Sequence, residues 1–430
     1  MTENPTESAI FDFLSHSFFE DFVFRNPAYT SSEGRREVQD LLVLLNDQIV
    51  AVQAKARFSR GRVPTGANAR RETAWARKNI GAALRQLKVG HSRMRRGLVA
   101  TVSNRRRGEI AFRFGDYKRV QGLIVVNQFI HPYGAADLVP ELLVSEFPVH
   151  VMALQDLAAV ATVLDTAADV LDYLGARSAI LPKVKIAVGQ ELNLLAIYLS
   201  HSRSFVPINE SDSTVRIDAN AWRDFVDRHA QALNAEKEAN VISKVIDHMI
   251  DAAHDVDPAW LTNTGTDATG PDAYAKIAAE LSRMNRVERR VISAAMIAKA
   301  RQAGQEGRDR YALLHISGGP AVVFLASPVE DHTKPPVREY RERRLSYLLH
   351  LTRLAKQDLA VDRIIGVATE VGTGSDAEFL PIPRGVGHSY DFAYIDAPHR
   401  EDARLKAEAL KFFGPPRHLT SEAKVQDGGA

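Results

Sequence analysis

A carboxylate, an amide and an amine lie close together near the start of the chain: Asp40, Gln53 and Lys55. Asp40 opens an apolar run, Leu41 to Leu45, and Gln53-Ala54-Lys55 closes a second that begins at Ile49. Asn46-Asp47-Gln48 separates the runs with turn-forming residues. Continuous apolar runs of this length fit strands covered on both faces, so Asp40 to Lys55 reads as a hairpin. Folding it about the turn sets Leu45 against Ile49 or Val50. In the second of these registers Asp40 lies opposite Lys55 and Leu42 opposite Gln53. Side chains alternate along a strand, so Gln53 and Lys55 share a face, and Asp40 at the mouth of the first strand shares it too. Polar groups at the end of a buried hairpin cost free energy unless something satisfies them. A bound ligand would do so.

The elements around the hairpin follow from spacing. Phe11, Leu14, Phe18 and Phe22 recur at helical intervals, which predicts a helix over Ala9 to Phe24 with Ser8 as its N-cap. Phe13, His16, Glu20 and Phe24 share its second face. After the hairpin, residues 56–71 show no periodicity and read as a basic loop. A helix is predicted from Glu72 to Val89, with Ala76, Ile80, Ala83 and Leu87 inward and Gly90 at its end. Short strands are expected at Gly97 to Ser103, Val120 to Val126 and Phe147 to Met152. Thr166 caps a further helix, with Asp169 three residues on, a structural pair. Residues 193–253 are mainly helical, and a polar loop at 262–272 marks a boundary. Beyond it come a helix (Arg283 to Ala300), a hairpin (Tyr311 to Ser327, turning at Gly318-Gly319), a helix (Val337 to Lys356) and a strand (Arg363 to Thr369). This repeats the order of residues 9–103. A diverged duplication explains the repeat, and so does common α/β architecture reached independently.

Composition bounds the chemistry. The chain has 430 residues, 45% of them hydrophobic and 25% charged, enough for two or three domains of ~150 residues. It contains no cysteine, which excludes disulfides, Cys-ligated zinc, thiol nucleophiles and iron–sulfur clusters. No apolar run approaches the ~18 residues of a membrane span. Met1 to Ser8 carries two glutamates and no basic residue, so a secretory leader is not expected and a cytoplasmic location is. The net charge of +2 conceals an asymmetry. From Lys55 to Arg107 there are sixteen Lys/Arg and one acid, Glu72, so this block carries +15 and the other residues total −13. A basic block on an acidic chain suits a polyanion partner; an Arg-rich solvated surface would have the same composition.

An Asp opening one strand and a (Glu/Gln)-x-Lys closing the next resembles the signature of the PD-(D/E)XK nucleases. Asp40 and Gln53-Ala54-Lys55 match it in the Gln variant found in Mrr-like restriction endonucleases. The helix–hairpin–helix–strand frame resembles the family too, over residues 9–126. The resemblance implies an α/β fold for the N-terminal part, a nuclease-like core of mixed sheet flanked by helices; the residue pattern beyond it adds a helical middle region and a second α/β domain. The corresponding divisions are 1–180, 181–275, 276–400 and a tail at 401–430. It implies Mg²⁺ or Mn²⁺ as cofactor, which takes oxygen ligands and keeps water and substrate phosphate in its shell. Asp40 would be the bridging carboxylate, with the Gln53 amide oxygen and the Ala54 carbonyl beside it. Lys55 would position or deprotonate the attacking water. Gln53 removes a negative charge where Glu is the commoner ligand. Glu20 or Glu37 would restore it, although Glu20 on a solvent face paired with His16 is an equal reading. Gln86 suits a structural or phosphate-facing role.

The basic block would hold DNA by its phosphates through Arg57, Arg60, Arg62, Arg70 and Arg71 on the loop and Arg77, Arg85 and Lys88 on the helix. The resemblance suggests restriction or anti-phage defence; the larger C-terminal region could bind DNA, mediate a homodimer or engage a partner. A catalytically dead nuclease fold that binds nucleic acid or a partner protein is the alternative, and RNA or another phosphate-bearing substrate stays open. Gly372-Thr-Gly-Ser-Asp lacks the Lys-Ser/Thr of a P-loop, so any ATPase activity would belong to a separate partner. His248 and His254 are spaced wrongly for a helical metal pair. The C-terminal hairpin has no acid-x-Lys or Gln-x-Lys, so a duplicate there would be inactive.

Overall fold

The computed structural model describes residues 4–32, 34–56, 69–127, 133–181, 184–185, 187–205, 208, 215–255, 271–315, 321–328, 337–359, 361–371 and 390–395. The chain forms two compact units, Met1–Glu236 and Lys237–Ala430. Both are mixed α/β. None of the described helices is long and apolar enough to cross a membrane.

The first unit begins with α1 (Pro5–Phe18), β1 (Val23–Arg25), β2 (Ala28–Ser31), β3 (Gly34–Glu37), β4 (Leu41–Leu45), β5 (Gln48–Ala56) and α2 (Ala69–Arg95). It continues through β6 (Thr101–Asn104), β7 (Gly108–Ala111), β8 (Arg119–Asn127), β9 (Tyr133–Gly134), α3 (Ala135–Leu138), β10 (Val149–Ala153), α4 (Leu154–Leu164) and α5 (Ala167–Ile180). After these come β11 (Val184–Lys185), β12 (Ala187–Val188), α6 (Glu191–Ser200), β13 (Val215–Arg216) and a helix, α7 (Ala221–Asp255), which is kinked at His229 and continues past Glu236, where the second unit begins.

The first helix starts and stops earlier than its phenylalanine spacing predicts. Asn4, not Ser8, is the N-cap: its side chain accepts from the Thr6 N–H at 3.1 Å, and Pro5 occupies the first helical position. Phe19 takes φ 62°, which ends the helix. Phe22 and Phe24 are buried, but from the turn Glu20–Phe22 and from β1.

The main sheet has the order β1-β4-β5-β8-β10; the β1–β4 and β4–β5 pairs are antiparallel, and the β5–β8 and β8–β10 pairs are parallel. The hairpin register differs from both expected ones. Leu45 pairs with Gln48 and Leu41 with Val52, because the turn contains only Asn46 and Asp47, with Asn46 at φ 54°. A two-residue shift from the second expected register keeps every side chain on its face. Leu42, Leu44, Ile49 and Ala51 pack with Ile124 and Val126 of β8 against Ala76, Ile80, Ala83 and Leu87 of α2. Asp40, Gln53 and Lys55 have the parity of that same face. On the other face, α1 packs against α4 and reaches β4 and β5.

The second helix is also longer than predicted. It runs on to Arg95 and stops where Gly97, at φ 72°, lets Gly97 N–H bond Met94 O and Leu98 N–H bond Arg93 O. Gly90 is therefore inside the helix. The strand expected at Gly97 to Ser103 narrows to β6, which among the described strands pairs with β7 alone, so β8 is the main-sheet strand that follows α2. Thr166 caps α5 through the Asp169 N–H. The first unit extends past residue 180: Glu191 of α6 is buried, paired with Arg177 at 2.6 Å and accepting from the Tyr173 hydroxyl at 2.5 Å.

The second unit contains α8 (Pro271–Leu281), α9 (Arg286–Glu306), β14 (Arg310–His315), β15 (Ala321–Pro328), α10 (Val337–Leu359), β16 (Ile364–Val371) and β17 (Asp391–Ile395). Its sheet runs β14-β15-β16-β17, with only β15 and β16 parallel. Leu345, Leu348, Leu351 and Ala355 of α10 pack on Val323, Leu325, Ile364 and Ala368, and α9 packs on β14 and β15. The turn at Gly318-Gly319 and the segment Gly372-Thr-Gly-Ser-Asp lie outside the described residues.

Candidate active site

The antiparallel pairing of β4 and β5 brings Asp40 beside the end of β5. Asp40 lies just before the ladder, and its Oδ2 accepts the Ala54 N–H at 2.6 Å. Gln53 is buried; its Oε1 accepts from Lys55 Nζ at 3.4 Å. Burial raises the pKa of Asp40 and nearby Glu7 raises it further, while the Ala54 bond and the Lys55 charge oppose the shift. Glu37, at the end of β3, is also raised, first by desolvation and then by Asp40 and Glu7, against Arg35 and Lys55. Glu37, Asp40 and Lys55 thus share one electrostatic neighbourhood.

Glu20 is held elsewhere. Because α1 ends at Phe18, Glu20 falls in the following turn, where Arg105 grips it with two bonds of 3.0 Å and Arg106 lies at 3.6 Å. Asn104 donates to the Glu20 and Asp21 carbonyls, which fixes this turn to the β6–β7 hairpin. His16 bonds Asp165. The acid that α1 contributes near Asp40 is Glu7, in its first turn, where Asn4 donates to it.

A cavity of about 490 Å³ opens on this group. Glu37, Gln39, Asp40 and Gln53 line one side, and Arg85, Gln86 and Arg93 of α2 line another. Arg93 also stacks over Tyr29 of β2, 5.1 Å from the ring centre. The cavity therefore joins a carboxylate-bearing edge to a guanidinium-bearing wall. Such an arrangement can hold a cation and a phosphate side by side.

The basic residues divide into three sets. Arg71, Arg77 and Arg85 are exposed on α2 and Lys88 is half-buried there. Arg70 lies on the same helix, since α2 begins at Ala69 rather than after a loop ending at 71. Arg57, Arg60 and Arg62 lie outside the described residues. Arg105 and Arg106 are paired with Glu20 and Asp21. Sequence reasoning passed over Arg35 and Arg36, exposed on the β2–β3 ribbon that leads directly into Glu37 and Asp40.

As a metal seat the site offers few carboxylates. Among the described residues no three His, Asp or Glu side chains converge to enclose an ion. Asp40, with Glu37 nearby and the Gln53 amide oxygen, is a sparse oxygen donor set of the kind Mg²⁺ accepts when water and substrate complete its shell.

Sequence reasoning also missed Gln39. It is fully buried, accepts from Gln53 Nε2 at 2.9 Å and donates to the Leu87 carbonyl at 3.5 Å. Gly90 was the available signal, since a glycine inside a helix often marks close approach of another group. A Cβ there would lie 2.0 Å from Gln39 Nε2 and 2.8 Å from the Val38 carbonyl. Comparison of the chain with protein-family models, curated proteins and solved structures gave no match.

Proposed function

We propose that the first unit is a metal-dependent endonuclease of the PD-(D/E)XK type acting on DNA, in restriction or anti-phage defence. One observation carries the reading: Asp40, Gln53 and Lys55 meet at the end of one hairpin, beside a cavity walled by Arg85, Gln86 and Arg93. Asp40, the Gln53 amide oxygen and the Ala54 carbonyl would hold Mg²⁺ or Mn²⁺. When bound, the ion supplies Lewis-acid charge to the phosphodiester. Arg85 and Arg93 hold the phosphate through charge-assisted hydrogen bonds. Lys55 orients the attacking water and offsets charge that builds as the phosphorus–oxygen bond to the leaving group breaks. Exposed Arg71 and Arg77 extend the contact along the backbone without reading bases.

The order of strands supports the reading further. Helix, antiparallel hairpin, helix and a strand parallel to the hairpin's second strand occur in α1, β4–β5, α2 and β8. The second unit repeats these directions in α9, β14–β15, α10 and β16, as a diverged inactive copy would. At the ends of its strands, Arg341 and Arg344 are paired with Asp391, and Arg344 also with Glu370. A nucleic-acid binder without catalysis is the second reading, favoured by the amide at position 53 and by the sparse carboxylates.

Supercoiled plasmid incubated with the full chain and Mg²⁺ or Mn²⁺ separates the two. The endonuclease nicks it, EDTA stops the nicking, and Lys55→Ala or Asp40→Ala removes it while DNA affinity persists. Binding without metal-dependent nicking leaves only the second reading.

A further inference from the structure

Gln39 and Gln53 form the middle of a hydrogen-bonded chain whose direction is fixed from both ends. At one end is the main-chain carbonyl of Leu87, which can only accept; at the other is the ammonium of Lys55, which can only donate. Between them Gln39 Nε2 donates to Leu87 O, Gln53 Nε2 donates to Gln39 Oε1 at 2.9 Å, and Lys55 Nζ donates to Gln53 Oε1. An isolated amide can be turned over, but turning either one here sets oxygen against oxygen or nitrogen against nitrogen. Gln39 is 0% exposed and Gln53 2%, so water does not repair a mismatch.

Taking the Asp40–Gln53–Lys55 group as the reaction centre proposed above, we infer that Gln39 is a positioning residue that aims the Gln53 amide oxygen at that centre and makes position 53 specific for an amide. Gly90 belongs to the same device, because only a residue without a side chain leaves space for the Gln39 amide against α2. The inference reverses a simple electrostatic expectation. Glu at position 53 adds a negative charge where a cation is proposed to bind, yet it faces the Gln39 oxygen with no hydrogen to offer. If Gln39 turns to donate to that Glu, its own oxygen meets the Leu87 carbonyl. Either arrangement leaves buried acceptors in conflict.

The test is a double-mutant cycle in the full chain, read by urea midpoint and by metal-dependent plasmid nicking. Gln53→Glu is expected to lower the midpoint, as an unmet buried hydrogen bond does, and to slow nicking about tenfold or more, as loss of the group orienting a metal ligand does. Gln39→Lys supplies donors for both the Leu87 carbonyl and a carboxylate at 53. The Gln39→Lys/Gln53→Glu double variant should therefore recover stability and nicking beyond the sum of the single changes. Gln39→Met is the second route if the lysine variant fails to fold. In its background Gln53→Glu should cost far less than in the wild type, because no oxygen opposes the new one. A Gln53→Glu protein as stable as the wild type, or additive effects in both cycles, overturns the inference. Coupled stabilities without any nicking by the wild-type chain uphold the amide chain and remove the endonuclease reading instead.

Discussion

Two glycines on the same helix make opposite predictions. Gly81 and Gly90 both lie inside α2, and neither has a positive φ. Helix propensity alone favours Ala over Gly by ~1 kcal/mol at each. A Cβ at Gly81 would meet nothing closer than an Arg85 guanidinium nitrogen at 3.6 Å, an ordinary contact with a mobile group. At Gly90 the same atom would lie 2.0 Å from Gln39 Nε2, 2.9 Å from Gln39 Cδ and 2.8 Å from Val38 O. Main chain cannot withdraw as a side-chain tip can, so Gln39 must leave its place. The cost is overpacking of ~1–3 kcal/mol, together with ~1–3 kcal/mol for the Gln53 amide left without an acceptor. Against the propensity gain, Gly90→Ala should destabilise by about 1–5 kcal/mol, while Gly81→Ala should stabilise by up to ~1 kcal/mol. Urea titrations of the two variants and the wild type measure both, with m-values checking that the transition stays two-state. Equal midpoints for the two alanine variants would show that Gln39 does not pack into the helix, and the amide chain would fall with it.

Two further outcomes follow from charge. Reversing Arg71, Arg77 and Arg85 to Glu should weaken binding to unrelated duplexes by similar factors and flatten the slope of log K against log salt by ~0.9 for each phosphate contact released; an unchanged slope with intact circular dichroism would place the DNA path elsewhere. Asp156 accepts from the Gly189 N–H at 2.6 Å and the Ala153 N–H at 3.3 Å, yet burial, and then Glu191, push its pKa up to about 6. Its folded pKa exceeds the unfolded value, so the folded state binds the extra proton between about pH 4 and pH 6 and stability falls as pH rises through that window. The fall should be on the order of 3 kcal/mol, and Asp156→Asn should flatten it in urea titrations run across the same range.

The hairpin was legible because two continuous apolar runs flank three turn-forming residues, and few other structures bury such runs. Its register was not. Gln48 has the composition of a turn residue but pairs with Leu45, and nothing local distinguishes a turn of two residues from one of three. The face assignment survived because the shift was by an even number of residues. Glu20 illustrates the opposite case. The phenylalanine spacing continues past Phe18, but the backbone leaves the helix at Phe19, and Phe22 and Phe24 reach the core from a turn and a strand. Hydrophobic periodicity reports burial, and burial persists through a change of backbone that moves the polar residues between.

Gln39 was hidden for a deeper reason. A buried amide is explained only by its partners, and its partners are Gln53 across the hairpin and a carbonyl on a helix that begins thirty residues later in the chain. The carboxylates can be located by motif because their chemistry is local to a strand end. The group that orients the Gln53 amide beside them is tertiary. Gly90 looks like a helix terminus by the usual rule and is a packing notch by its environment, so the same residue carries the wrong boundary and the missing contact. Position 53 combines the two levels. Read along the chain, Gln appears as a weakened ligand; read across the α2 interface, it is the residue type that can donate to Gln39 and accept from Lys55 at once. An acid cannot do both while ionised, which is a physical reason for this chain to carry the amide.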